Sequence, residues 1–285
     1  VSKTSPIAID RSWLGAPAQT LRNPTWWLFV VVVVVWTAST AAALAGFAAW
    51  WVSGLVNAVA SYLAFTVMHE SVHGIAHGNK RANAWMGRVA GVLLVGSSRM
   101  FRAVHLEHHA HTNDPERDPD FGVARTPRWM MPLWCLAIVV DYRRHWFGRP
   151  LWRADDERRE ALVVEGGLII VALALSAAGW GQAVFTLWVA PALAALLVLA
   201  FAFDYLPHAP HIGRGRYLDT RAMPSALGNI ALLGQNYHLV HHLWATIPWY
   251  RYQRAFRALE PELRARGCDV GQAEGAVGRN TMPSI

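Results

Sequence analysis

Read for polarity alone, the chain alternates between long stretches with no ionisable side chain and stretches dense in them. No Asp, Glu, Lys, Arg or His occurs from 27 to 68, nor from 166 to 203. Each tract is about twice the roughly 20 residues that one helix needs to cross the hydrocarbon of a bilayer. Each is interrupted near its middle by small or polar residues beside tryptophan, WWVSG at 50–54 and GWGQ at 179–182. The pattern predicts two helical hairpins, with spans over about 27–50, 53–74, 161–179 and 182–205 and interfacial tryptophans at the bends.

Shorter apolar runs fill the rest. AWMGRVAGVLLVGSS (84–98) and MMPLWCLAIVV (130–140) are too short or too interrupted to cross, so they are expected to dip into or lie along the interface. The segment after the second run, DYRRHWFGRPLWRADDERRE, reads as a membrane-surface helix anchored by Trp146 and Trp152. Pro207 should stop or kink the last span as it leaves the membrane, and SALGNIALLG (225–234) reads as a further short interfacial helix. The fold class expected is therefore an all-α integral membrane protein of four transmembrane helices. It forms a single domain over 1–285, with additional interfacial helices and a tail, 267–285, that is expected to be flexible and without a catalytic role.

Composition sharpens this. The chain is 54% hydrophobic and only 16% charged, with 15 tryptophans, too apolar for an ordinary water-soluble domain. All 26 Lys and Arg residues fall outside the two predicted bends, which puts both termini and the central segment in the cytoplasm by the positive-inside rule. Topology and anionic lipid then explain the net charge of +7 without nucleic acid. LFVVVVVV at 28–35 reads as part of a span rather than a cleaved signal peptide, because a second span follows almost at once. Cys135 and Cys268 predict neither a disulfide in that compartment nor a thiol metal site.

Most of the 13 histidines lie in three clusters: HESVHGIAH (69–77), HLEHH (105–109) and HLVHH (238–242). Residues three and four apart share one face of a helix, so His105, His108 and His109 converge, as do His238, His241 and His242. His69 and His73 form a third such pair, and His77 continues their stripe. The predicted topology brings all three clusters to one side of the membrane. So many imidazoles at membrane exits would cost desolvation without a ligand to satisfy them, which points to metal. Eight histidines exceed what one catalytic zinc uses and favour two metals, with His208 as a ninth member. HESVH also fits the H-E-x-x-H pattern of zinc peptidases, with Glu70 as base, but that reading gives HLEHH and HLVHH nothing to do. A metal transporter would need ionisable groups along the spans, which both tracts lack.

Other polar residues are placed around the ligands. Glu70 is expected to orient an imidazole, and Glu107 either to accept from one or to make a solvated salt bridge. Asp204 calls for a histidine, arginine or backbone partner at the end of its span. Asn113, Asp114, Asp118 and Asp120 read as caps, as braces of the second cluster, or as a surface turn. Gln235 and Asn236 read as orienting groups beside the third cluster.

With these residues in view, the chain resembles the membrane fatty acid desaturase and hydroxylase superfamily, and within it is similar to the β-carotene 3-hydroxylases of the cyanobacterial type. The resemblance rests on HESVHGIAH with Asn83, FRAVHLEHHAHTNDPERDPD (101–120), PLWRADDERRE (150–160), FDYLPHAPH (203–211) and GQNYHLVHHLWATIPWYRY (234–252). It implies a non-haem di-iron enzyme of a bacterial inner or cyanobacterial-type membrane. Such an enzyme activates dioxygen and hydroxylates the ring of β-carotene at its 3-position, giving cryptoxanthin and zeaxanthin. The implied ligands are His69, His73, His105, His108, His109, His208, His238, His241 and His242, with His77 a ligand or an outer partner of one. Glu70 stands where relatives commonly carry aspartate. The substrate would enter from the bilayer and electrons would come from an external donor such as ferredoxin, since no nicotinamide or flavin pattern is present. A fatty acyl desaturase or hydroxylase on the same centre is the alternative, and ketolation of the ring is closer still.

Overall fold

In the computed structural model the chain is described over residues 6–152 and 154–271, and it is helical, with no β-strand among the described residues. The first hairpin is α1 (Pro24–Leu44) and α2 (Trp50–Val72). Asn23 starts α1, its side chain accepting from the Thr25 N–H at 3.0 Å, with Pro24 in the first turn, where a missing N–H costs nothing. The helix ends where Gly46 takes φ 76°, and the Phe47 and Gly46 N–H groups close back on Ala42 and Ala43. The bend is thus at 45–49, not at the predicted WWVSG, and Trp50 and Trp51 already belong to α2. Gly54 instead serves packing. A Cβ there would lie 2.9 Å from the Thr186 carbonyl oxygen, so its hydrogen lets α2 approach the last span.

After α2 come α3 (Lys80–Leu93) and α4 (Ser98–His111), bent by 98° at their junction, then α5 (Met131–Gly148). Asn79 and Ser97 cap α3 and α4 through their side-chain oxygens. The surface helix expected through 160 stops at Gly148, and Trp146 is buried against Met100, Val104 and Ala161 rather than anchored in lipid.

The helical stretch Asp155–His208 holds α6 (Asp155–Leu175) and α7 (Ala190–Leu199), joined and followed by wider turns. At about 1.5 Å per residue a straight helix of its 54 residues would be far longer than the roughly 30 Å hydrocarbon layer. It breaks at Gly179, φ 93°, within the predicted GWGQ bend. Three helical stretches, Pro24–Leu44, Trp50–Val72 and Asp155–His208, are long and apolar enough to cross a bilayer, and a fourth if α3 and α4 together form one broken span.

The C-terminal part adds α8 (Ala226–Ala231), α9 (His238–Leu243) and α10 (Tyr252–Ala265). These last two pack a compact core of Tyr237, Leu239, Ile247, Phe256 and Leu263, joined by Ile7 and Trp13 of the N-terminal arm. Of the expected tail, Cys268 and Val270 are packed into the same core, while 272–285 lies outside the described residues.

Candidate metal centre

The three histidine clusters and His208 arrive from four helix ends. α2 brings His69 in its last turn with His73 as its C-terminal cap, α4 brings His105, His108 and His109, and α9 brings His238, His241 and His242. His208 closes the helical stretch that follows α7. Together they form two groups, each with one donor atom per residue and all donors within 4.8 Å of one another: His69, His73, His105, His109 and His241; and His108, His208, His238 and His242. The two groups adjoin, the rings of His109 and His242 being 4.3 Å apart between centroids. All nine histidines expected as ligands are brought together.

The contacts inside the first group are not those of a hydrogen-bonded network. Nε2 of His69 lies 3.1 Å from that of His241, His241 2.9 Å from His109, His109 3.1 Å from His105, and His105 3.0 Å from His73. A neutral imidazole nitrogen has either one N–H or one lone pair and so makes one hydrogen bond. Five nitrogens joined in a row by four contacts can make at most two, and a shared cation would account for the other short contacts. With metal–nitrogen bonds of about 2.1 Å, donors at right angles lie about 3.0 Å apart and tetrahedral donors about 3.4 Å apart. The spacing and the five donors suit an octahedral ion with an open position better than tetrahedral zinc.

In the second group, His242 Nε2 is 3.1 Å from His238 Nε2, and the buried Nε2 of His208 has no hydrogen-bond partner among the described residues. The outward nitrogens are anchored. His208 Nδ1 donates to the Asp219 carbonyl at 3.0 Å, His241 Nδ1 lies 2.9 Å from the Tyr252 hydroxyl, and His108 Nδ1 lies 2.8 Å from Asp118 and 3.1 Å from Asp120. Each anchor points Nε2 inward. Burial, and after it the neighbouring imidazoles, push His238, His241 and His242 well below the usual imidazole value. They are therefore neutral, the form that binds a metal ion.

The remaining expected residues divide. His77 is not in either group: Gly74 takes φ 78° and the Ile75 N–H returns to Glu70, so α2 ends and the stripe with it. The His77 ring instead contacts the Thr20 hydroxyl and accepts from the Asn79 N–H. Glu70 is buried but accepts from the Trp249 N–H at 3.2 Å, tying α2 to the loop before α10 rather than orienting an imidazole. Glu107 pairs with His111 and Arg117, the salt-bridge outcome. Asn236 donates to the Met223 carbonyl and pins a loop. Asp118 and Asp120 brace the second cluster through His108, whereas Asn113 reaches the Gly213 and Asp219 carbonyls. Tyr252 and the Asp219 carbonyl were missed. IPWYRY follows the third cluster directly in the sequence, but only packing α10 under α9 reveals the hydroxyl's target.

One cleft leads to the centre from the side of α2, α4, α5 and α7. Its walls include Phe65, Met68, Phe101, Ile138, Leu199 and Phe203. His69 and His105 of the first group and His108 and His238 of the second line its inner end, with Asp204 beside them.

The fatty acid desaturase family profile matches residues 45–272. The chain belongs to the fatty acid desaturase family. A β-carotene ketolase of Paracoccus sp. is 31% identical over 195 residues, 66% of this chain and 71% of that protein. A β-carotene 4-ketolase of Protosiphon botryoides is 26% identical over 66% of this chain and 46% of its own length. A dihydrorhizobitoxine desaturase of Bradyrhizobium elkanii is 26% identical over 67% of this chain and 62% of its own. The family match spans all three histidine clusters and His208, whose arrangement is compatible with a metal site.

Proposed function

We propose that this desaturase-family protein is a membrane oxygenase that oxidises a ring methylene of a β-ring carotenoid, with two non-haem iron ions on the nine histidines and dioxygen as co-substrate. The observation that carries the reading is the cleft: its walls are aromatic and aliphatic, and its end meets both histidine groups. An apolar, rigid polyene with a ring at its tip suits such a space, and the ketolase relatives support that substrate class. When bound, the iron pair supplies dioxygen activation.

The protein's own residues do the rest. Phe65, Phe101 and Phe203 exclude water and hold the ring against the donors. Tyr252, Asp118 and the Asp219 carbonyl hold three imidazoles in one tautomer and orientation. Insertion of one oxygen atom into a C–H bond gives an alcohol, with two electrons and two protons reducing the other atom to water. A second insertion at the same carbon gives a gem-diol that loses water to a ketone. The relatives' names favour the ketone, and the 3-hydroxylated ring is the competing product. The four inner helix ends face the cytoplasm in this reading, where ferredoxin supplies the electrons.

Acyl desaturation is the second reading, favoured by the desaturase among the relatives. The test gives purified protein iron, dioxygen, reduced ferredoxin and β-carotene or an acyl lipid. A ketone adds one oxygen and removes two hydrogens per ring, an alcohol adds oxygen alone, and desaturation removes two hydrogens from the acyl chain. An unchanged carotenoid beside a desaturated acyl chain would sink the first reading.

A further inference from the structure

The two histidine groups differ in what stands behind them. His108 of the four-histidine group faces two carboxylates at 2.8 and 3.1 Å, with the Asp118 and Asp120 side chains 3% and 4% exposed. Asp118 is held rigidly, its oxygens accepting from the Asn113 and Asp120 N–H groups at 2.7 and 2.9 Å. Among the described residues no carboxylate makes a direct ion-pair contact with an imidazole of the five-histidine group; Glu70 stands one step removed, beside Tyr252. His241 is backed by the neutral Tyr252 hydroxyl, His69 Nδ1 has no partner, and Glu70 is turned to Trp249.

We propose that the two metal positions are electrically unequal: the four-histidine position binds its ion first and is the harder of the two to reduce, because Asp118 and Asp120 act on it through His108. The inference rests on the two-metal reading above. Buried negative charge stabilises a cation, and the more highly charged oxidised ion more than the reduced one, with little screening by water. The Nδ1 contact also makes the imidazole a stronger donor. The five-histidine position, with neutral donors alone, is left as the weaker and more readily reduced partner. Asp118 and Asp120 are positioning residues; neither is assigned contact with substrate.

The test uses the full chain, stripped of metal in detergent and titrated without oxygen, first with cobalt(II) followed by its ligand-field absorption, then with iron(II) followed by redox titration. Wild type should bind two ions in two resolved steps, the first lost in His242→Ala and kept in His73→Ala. Asp118→Asn removes the charge together with one of the two oxygens that accept N–H groups, so Asp120→Asn is read beside it. Asp118→Asn should weaken the first step by about 10–100-fold and leave the second unchanged. Each tenfold loss in the preference for oxidised iron raises the lower of the two potentials by about 59 mV. Asp120→Asn should act in the same direction, and Asp118→Glu should restore the wild-type step. Equal weakening of both steps, or unchanged potentials in both Asn variants, would overturn the inference and leave the two-metal reading standing. Fewer than two ions in wild type would overturn both. A third ion, lost in Asp120→Asn, would show the carboxylates ligating metal themselves and would also overturn the inference.

Discussion

On α1 and α2 part of the large aliphatic surface points outward, with Val31, Val34, Leu55 and Val59 each at least half exposed, while Ser53, Asn57, Ser61 and Ala64 are buried between helices beside Val32, Val67 and Val72. In the C-terminal part the arrangement is inverted: Leu239, Val240, Ile247 and Leu263 are fully buried. The first region is arranged for a solvent of lipid, in which apolar surface gains nothing by hiding and small or hydrogen-bonding groups mediate helix contact. The second is arranged for water, which drives apolar surface inward. The histidine centre sits at the seam, drawing His69 and His73 from one region and His238, His241 and His242 from the other. The histidine cluster is thus one of the places where the two regions meet, beside the Glu70–Trp249 and Tyr62–Ala231 contacts.

That comparison can be broken at the seam first. His241→Ala removes a donor to the five-histidine group and should cost more than about 100-fold in affinity for one metal ion, beyond the range seen on losing an outer partner. Metal analysis should fall from two ions to one, with turnover lost; two retained ions would dissociate the seam from metal binding. Leu239→Ala empties a fully buried position of the C-terminal core and should lower stability by about 2–5 kcal/mol in thermal or denaturant unfolding. Asn57→Leu strips the donor that serves the Thr40 hydroxyl and the Leu187 carbonyl, at 2.9 and 2.8 Å, across three segments of the membrane part. Its cost should be about 1 kcal/mol, in the range measured for polar contacts between spans. Leu55→Ala, on the outward face of α2, should change stability in detergent by less than about 0.5 kcal/mol. A Leu55 effect as large as that of Leu239 would mean that α2 is packed against protein rather than lipid.

Legibility in the sequence followed the same divide. The uncharged tracts showed the apolar helices and the Gly179 bend, because a charged side chain in hydrocarbon is costly and its absence is visible without coordinates. The first bend was misplaced by a few residues. WWVSG resembles a turn in composition, but the left-handed Gly46 is the residue that ends α1. Histidine spacing at three and four residues identified the side chains that α4 and α9 bring to the cluster, and the stripe does not continue to His77 for a local reason, the Gly74 turn that ends α2 one step earlier.

What the sequence by itself determined is therefore the set of donors and the apolar segments that carry them, since both follow from periodicity along one helix and from which side chains lipid tolerates. Only the tertiary structure decided how nine imidazoles divide into five and four, that His108 alone is backed by Asp118 and Asp120, and that Tyr252 rather than Glu70 steadies an imidazole. Those choices depend on how helix ends distant in the chain come to rest against one another, a relation that no local pattern encodes.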